Sequence, residues 1–371
     1  MKYYIIAGEA SGDLHGSNLM KALLREDVNA EIRFWGGDLM QNVGGTLIKH
    51  YRNLAFMGFK EVFMNLRTIL RNLSFCKKDI SQFKPDCIIF IDYPGFNLRI
   101  AKWAKRKGYK THYYISPQLW AWHENRIKAI KRDIDKMYVI LPFEKKFYEE
   151  KHNYQVEFVG HPLIDAIVNR TQVDEYQFRI NNQLSKKPII ALLPGSRKQE
   201  IKKMLSVMLS VVDDFIDYQF IIAGAPGQEQ SFYSPFVVNQ NVNIVFGQTY
   251  DLLSVSSAAL VTSGTATLET ALFKVPQVVC YKGSWMSFQI GKRLVKHIDY
   301  ISLVNLIMEK EVVTELIQRD FNNERLKEEL GIILDEYERT KFFMNYYELE
   351  KKLGGRGVSE KVANLIYKSL N

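Results

Sequence analysis

Twice along the chain, short apolar runs alternate with segments of helical period, and most runs break off at Gly, Pro or an acidic residue. Tyr3–Ala7, Glu31–Trp35, Cys87–Ile91, Thr111–Ile115, Lys136–Leu141 and Val156–Val159 make the first series. Pro188–Leu193, Phe220–Ala223, Asn243–Val245, Ala259–Val261 and Gln277–Cys280 make the second. A run such as Cys-Ile-Ile-Phe-Ile has no polar alternation, as expected of a parallel strand covered by helices on both faces. Two such series predict an α/β protein of two doubly wound domains facing each other across a cleft. With 371 residues the chain also exceeds the size at which one core keeps growing. The polar stretch from Asn169 to Lys187 puts the junction near residue 165. The expected division is 1–165, 166–340 and a helical segment 341–371. That last segment, broken at Gly354–Gly357, either returns to the first domain or crosses to a partner subunit.

Composition narrows the setting rather than the function. Cys76, Cys87 and Cys280 are widely spaced, so neither a disulfide framework nor a zinc site is expected, and a reducing compartment is. The first residues enter a strand without a basic segment, apolar stretch and cleavage site, and no run has membrane-spanning length. A cytoplasmic protein is expected. The net charge of +9 favours anionic partners, whether phosphates, nucleic acid or a lipid surface.

In an α/β sheet the loops at the carboxyl ends of the strands line the ligand crevice. The first such loop, Gly8-Glu9-Ala10-Ser11-Gly12-Asp13, crowds two carboxylates and a hydroxyl into five residues, more polarity than a turn requires. Its glycines, Gly8, Gly12 and Gly16, do not have the Gly-x-Gly-x-x-Gly spacing of a dinucleotide fingerprint. Glu9, Ser11, Gly12 and Asp13 are therefore site candidates, the alternative being a helix N-cap. Asp92 closes the buried run Cys87–Ile91 and is followed by Tyr93-Pro94-Gly95-Phe96-Asn97. It reads either as a catalytic carboxylate or as the cap of the next helix. Trp120 and Trp122 stack a ligand or close the core. Arg126, Lys128, Lys131 and Arg132 form a solvated face or contact anionic headgroups. His161 reads as a junction residue that hydrogen-bonds locally.

Between these loops, residues 59, 62, 63, 66, 70 and 73 make a helical apolar face, with Phe56, Met57 and Met64 off or ahead of it. Core packing accounts for such a stripe. So does a partly exposed patch (Phe56, Met57, Phe59, Val62, Phe63, Leu66) that enters a membrane or holds an acyl chain.

The second series carries anion chemistry. Pro194-Gly195-Ser196-Arg197 closes its first strand, where a Gly-Ser turn frees backbone donors and Arg197 offers a planar fork to phosphate oxygens. Glu200 is placed to hold that arginine. Ser263-Gly264-Thr265-Ala266-Thr267 leads from strand into helix, so the first helical turn presents free N–H groups to an anion, with Thr267 among the small hydroxyl residues. Glu269 lies one turn deeper, placed to accept from a ribose diol. Together these residues suggest a nucleoside diphosphate held without metal or cofactor.

At the level of motifs the chain resembles the bacterial lipid-A-disaccharide synthases, glycosyltransferases of the two-domain, Rossmann-like GT-B architecture. The resemblance rests on Gly-Glu-Ala-Ser-Gly-Asp (8 to 13), Ala-Phe-Met-Gly (55 to 58), Ser-Pro-Gln-Leu-Trp-Ala-Trp (116 to 122), Leu-Pro-Phe-Glu (141 to 144) and Phe-Val-Gly-His-Pro (158 to 162). It continues through Leu-Leu-Pro-Gly-Ser-Arg (192 to 197), Ser-Gly-Thr-Ala-Thr-Leu-Glu (263 to 269), Lys-Arg-Leu-Val-Lys (292 to 296) and Tyr-Ile-Ser-Leu-Val-Asn-Leu-Ile (300 to 307). It implies inverting transfer from UDP-2,3-diacylglucosamine to 2,3-diacylglucosamine 1-phosphate (lipid X), releasing UDP. It also implies an anionic membrane surface as partner, no nucleic acid, a homodimer, and a peripheral position on the inner face of the inner membrane. By the same analogy Arg197 and the helix opening at Ser263–Thr265 stabilise the leaving diphosphate, and Glu269 holds the ribose. The first domain's loops hold the acceptor and its base.

One departure from the family pattern redirects the base. Members of that family often read Ile-Asp-Xaa-Pro-Asp-Phe-Asn, and the second Asp is the one the resemblance would name. Gly95 stands in its place here. The base therefore moves to Asp92, with Glu9 and Asp13 as rivals, and Asn97 stays a substrate-binding candidate. A UDP-sugar 2-epimerase of the same architecture and a non-catalytic nucleotide-sugar-binding protein are the competing functions.

Overall fold

Residues 1–54, 66–121, 123–283 and 299–371 are described by the structure, a computed structural model of the single chain. The chain forms two compact units, one of Met1–Val168 with Leu353–Asn371 and the other of Asn169–Lys352. The C-terminal segment thus divides at residue 352 rather than at 340.

In the first unit β1 (Lys2–Ala7), β2 (Glu31–Gly36), β3 (Thr46–His50), β4 (Cys87–Ile91), β5 (Lys110–Tyr114), β6 (Lys136–Val139) and β7 (Glu157–Phe158) form one parallel sheet. Its order is β3-β2-β1-β4-β5-β6-β7. The helices are α1 (Ala10–Glu26), α2 (Asp38–Val43), α3 (Leu66–Phe83), α4 (Pro94–Arg106), α5 (Ile127–Asp133), α6 (Pro142–Lys146) and α7 (Leu163–Val168). In the second unit β8 (Ile189–Leu193), β9 (Gln219–Gly224), β10 (Val242–Phe246), β11 (Ala258–Thr262), β12 (Gln277–Tyr281) and β13 (Glu315–Ile317) are also parallel, in the order β10-β9-β8-β11-β12-β13. Its helices are α8 (Glu175–Asn181), α9 (Lys198–Met208), α10 (Gln230–Tyr233), α11 (Thr249–Ser254), α12 (Thr265–Leu272), α13 (Leu303–Met308), α14 (Asn323–Leu334) and α15 (Glu336–Lys352). The last helix, α16 (Val358–Leu370), belongs to the first unit.

Both sheets reverse strand order at one point, between β1 and β4 and between β8 and β11, where ligand crevices open in doubly wound folds. The inner strands are buried on both faces. Ile190, Leu192 and Leu260 pack into one layer and Ala191, Leu193 and Val261 into the other. At roughly 1.5–3 kcal/mol per fully buried large aliphatic side chain, these strands supply more stabilisation than the edge strands β3, with no fully buried residue, and β13, with Leu316 alone. Those two strands escape the sequence pattern because Thr-Leu-Ile-Lys-His and Glu-Leu-Ile offer no continuous apolar run.

The Gly-rich break before α16 is held by Asp165, whose carboxylate accepts from the amides of Gly357 (2.8 Å) and Ser359 (3.0 Å). α16 then lies on α1, with Arg25 paired to Glu360 and Asn364 bonded to Glu26. Nearby, His161 is buried; its amide donates to the Leu353 carbonyl and its Nδ1 accepts from the Leu163 amide. It is a local hydrogen-bonding residue, as its position suggests.

Burial lowers His15 to about 4 and His161 to about 3, the latter also disfavoured as a cation by His15. Rings held neutral contribute stability that is complete above the unfolded value near 6.5 and is lost as pH falls toward the folded values. The stability gap between the native protein and His161→Gln should therefore narrow as pH falls below 6.5 toward 5, by up to about 1.4 kcal/mol per pH unit. Urea unfolding at both pH values checks this, and a constant gap would mean that His161 is not held neutral.

Candidate functional sites at the strand ends

In the first unit Gly8 and Glu9 follow β1 and Asp92 follows β4, so the reversal of strand order brings both loops together. Gly8 has no room for a side chain: a Cβ there would lie 2.3 Å from the Tyr93 ring. Glu9 is the N-cap residue of α1 but makes no side-chain capping bond, which leaves its carboxylate free.

Asp92 and Tyr93 both adopt left-handed backbone, at φ of 44° and 49°. Such residues cost of order 1–3 kcal/mol each and persist only where their surroundings over-determine them. Here the Asp92 carbonyl accepts from Asn97 Nδ2 (2.7 Å) and Tyr113 Oη (2.6 Å), and the Asp92 amide donates to the Tyr114 carbonyl. Tyr93, not Asp92, is the N-cap residue of α4, so Asp92 is not spent as its cap. Burial raises the Asp92 carboxyl to about 6; the Glu9 charge adds to the rise, and a hydrogen bond from the Tyr93 amide opposes it. Burial also raises Glu9.

Two candidates take other roles. Asp13 is buried, and its carboxylate accepts from the amides of Gly37 (2.7 Å), Met40 (3.0 Å) and Leu39 (3.1 Å), tying α1 to the start of α2. A carboxylate holding three amides is committed to the scaffold and poorly placed to act as a base. Asn97 is fully buried and spends its amide on the carbonyls of Ile6, Ile91 and Asp92. It positions the Asp92 loop. Of the remaining pair, Gly12 is buried against Ala7 and Ser11 is exposed in the first turn of α1.

Beside Asp92 a cavity of about 280 Å³ opens, lined by Asp92, Ser116, His123, Arg126 and Glu144 among others. Glu144 is a site residue that residue-by-residue reading missed; its signal was the Leu-Pro-Phe-Glu motif, where Pro142 opens α6 and Glu144 turns back. Its Oε2 accepts from the amides of Ile140 (3.1 Å) and Leu141 (2.9 Å), and Ser116 Oγ donates to Oε1 (2.5 Å). Burial still raises it to about 7, and the hydrogen bonds oppose that rise.

The second unit has a cavity of about 510 Å³ at the ends of β8 and β11, lined by Arg197, Glu200, Ser263, Gly264, Thr265 and Glu269 among others. Gly195 adopts φ of 97°, and Glu200 folds over it so closely that a Cβ would meet its carboxylate at 2.3 Å. Glu200 Oε2 accepts from the Ser196 amide (3.2 Å), so it braces the turn and not Arg197. Arg197 is exposed, and its guanidinium has no ion-pair partner among the described residues. Thr267 is buried and its hydroxyl donates to the Gly264 carbonyl (2.8 Å), which removes it from the cavity wall. Ser263 Oγ donates to the Ile301 carbonyl (3.0 Å). Glu269 Oε1 accepts from Tyr250 Oη (2.7 Å), a partner not anticipated, and burial raises its carboxyl. Its other oxygen is left for a ligand.

The apolar patch residues Phe56, Met57, Phe59, Val62 and Phe63, and the side chain of Leu66, lie outside the described residues, as do Trp122 and Lys292–Lys296. On the adjoining α3, Leu73 is buried in the core, whereas Leu70 and Phe75 are 55% and 46% exposed beside the exposed Arg67 and Arg71. Among the described residues no helix is long and apolar enough to cross a membrane, and no group of three His, Cys, Asp or Glu could hold a metal.

The family model described as lipid-A-disaccharide synthetase matches residues 3–367. A lipid-A-disaccharide synthase of Syntrophus aciditrophicus is 39% identical over 369 residues, covering 97% of this chain and 95% of the relative. Those of Geobacter metallireducens and Coxiella burnetii are 38% and 35% identical, covering 99% and 98% of this chain and 96% and 98% of the relatives. Among solved structures, a UDP-GlcNAc 2-epimerase from Neisseria meningitidis bound to UDP-GlcNAc aligns with a TM-score of 0.67 at 12% identity, covering 100% of this chain and 99% of its own. The S. aureus MnaA-UDP co-structure aligns with a TM-score of 0.71 at 12% identity, over 100% and 97%. Those likenesses establish the fold alone, a two-domain GT-B-type arrangement.

Proposed function

The chain belongs to the lipid-A-disaccharide synthase family, and from that premise we propose how its two strand-end sites divide the reaction. The protein is a hexosyltransferase acting on lipid-A precursors. Its donor is UDP-2,3-diacylglucosamine, its acceptor 2,3-diacylglucosamine 1-phosphate, and its products UDP and a β-1,6-linked disaccharide phosphate. The family match over residues 3–367 carries this reading.

The second unit takes the UDP. Arg197 and the free amides where α12 opens meet the diphosphate, and Glu269, braced by Tyr250, accepts from the ribose diol. The first unit takes the acceptor. Asp92 removes the proton of the 6-hydroxyl, whose oxygen attacks the donor's anomeric carbon from the face opposite UDP, so the centre inverts. Charge developing on the diphosphate is met by Arg197 as the glycosidic bond breaks. Burial, with the Glu9 charge adding to it, raises the Asp92 carboxyl and so makes it a stronger base.

Leu70 and Phe75, exposed beside Arg67 and Arg71, support a peripheral seat on an anionic membrane. A cytoplasmic location on the inner face of the inner membrane and a homodimer complete the proposal. The epimerase reading ranks below it, because only a low-identity fold likeness favours it.

The test mixes purified protein with UDP-2,3-diacylglucosamine and 2,3-diacylglucosamine 1-phosphate and follows UDP release and disaccharide mass. Conversion of UDP-N-acetylglucosamine to its 2-epimer, with no disaccharide, would transfer the protein to the epimerases. A second variant probes the site's packing. Gly8→Ala drives a methyl into the Tyr93 ring at 2.3 Å, so Tyr93 and the adjoining Asp92 must shift. We expect kcat to fall on the order of 10²-fold with the thermal midpoint nearly unchanged. An unaffected kcat would show that the Asp92 loop tolerates displacement.

A further inference from the structure

The cavity beside Asp92 contains more than a base requires. Of the residues lining it, Asp92, Ile115 and His123 adopt left-handed backbone, with φ of 44°, 64° and 54°. For a β-branched residue such as Ile115 that conformation is a steric outlier, and strain gathered on one cavity marks a built site. Its floor is prepared. Both Glu144 oxygens are occupied, one by Ser116 Oγ and the other by two backbone amides, so this carboxyl presents no free acceptor to a ligand.

The remaining charge is Arg126. It lies just before α5, half-buried, and its guanidinium makes no hydrogen bond or ion pair among the described residues. It lines the cavity, and its positive charge acts on the buried hydroxyl of Tyr113, the same hydroxyl that holds the Asp92 carbonyl. A planar five-donor fork left unpaired in a strained cavity fits an anion with several oxygens. Other arginines, such as Arg33 with Asp79, Arg179 with Glu175 and Arg325 with Glu329, are paired with carboxylates, and of the unpaired ones among the described residues Arg126 is the one that lines this cavity.

We propose that Arg126 binds a phosphomonoester on the acceptor sugar, which orients the sugar so that its reacting hydroxyl meets Asp92. This rests on the first unit being the acceptor site. Arg126 then sets specificity: an acceptor sugar without phosphate leaves the guanidinium unpaired and is poorly held.

The experiment compares two acceptors, 2,3-diacylglucosamine with and without its 1-phosphate, in wild type, Arg126→Ala, Arg126→Gln and Lys128→Ala. Wild type should prefer the phosphorylated acceptor. Either Arg126 replacement should raise its KM roughly 10- to 100-fold, with kcat and the donor KM little changed. The same replacements should leave the unphosphorylated acceptor unaffected, so the preference collapses. Lys128→Ala, on the exposed face of α5 and outside the cavity, should behave as wild type. Undiminished preference for the phosphate in both Arg126 variants overturns the inference, as does an equal loss with both acceptors. Absence of any disaccharide from wild type would instead remove the acceptor-site reading itself, a distinguishable failure.

Discussion

Asp92→Asn will lower kcat by roughly 10²–10⁴-fold and leave UDP affinity unchanged. The amide keeps the shape of the side chain and removes only its ability to take a proton. UDP is assigned to the other unit, at Arg197 and Glu269, so calorimetric binding of UDP should match wild type. Gly95→Asp should not restore activity to this variant. A Cβ at Gly95 meets nothing within 4 Å, so the added carboxylate fits, but it sits on the exposed first turn of α4 and not in the strained loop. Rescue by Gly95→Asp would return the base to that position.

The pH dependence makes the assignment sharper. A base works deprotonated, so kcat/KM should fall as pH drops through about 6, the value to which burial and Glu9 raise Asp92. Glu9, Tyr113 and Glu144 are the titratable groups that interact with it. The Glu9 charge adds to the rise in Asp92, so Glu9→Gln should move the acid limb to lower pH. A limb that stays in place would separate Glu9 from Asp92, and one that moves upward would reverse the sign of their coupling.

What could be read from the sequence divides along a physical line. The buried parallel strands were legible because burial on both faces forces an uninterrupted apolar run, and Cys87–Ile91 is bounded in the structure as it is in the pattern. From two such series follow the strand-end loops, hence Glu9, Asp92, Arg197 and Ser263–Glu269. The roles of Asp13, Asn97, Glu200 and Thr267 were not legible. Each is decided by which backbone group its side chain reaches: Asp13 bonds amides 24 to 27 residues away, and Asn97 bonds the carbonyl of Ile6, 91 residues away. Local spacing carries no such information. The contacts of Glu200 and Thr267 were hidden for a different reason, because a turn or a helix offers its own polar groups at close range to the side chain. Glu144 stayed hidden for a related reason: its sequence signature is that of a helix start, and only the fold brings Ser116 and Asp92 beside it.

Arg197→Ala will lower kcat on the order of 10²–10³-fold, the loss seen when one preorganised donor to developing charge is removed. The leaving diphosphate gains negative charge as the glycosidic bond breaks, so an interaction with it is stronger in the transition state than in the bound donor. Arg197 is suited to that because nothing else holds it: Glu200 is occupied with the Ser196 amide, and the exposed guanidinium keeps all its donors. Arg197→Lys retains the charge without the planar fork and should recover only part of the lost rate. Glu200→Gln keeps the turn's acceptor and should cost little, which separates support of the loop from contact with substrate. The decisive comparison is kcat against donor KM. A raised KM with unchanged kcat would make Arg197 a ground-state contact, and transition-state stabilisation would then have to come from the amides that open α12.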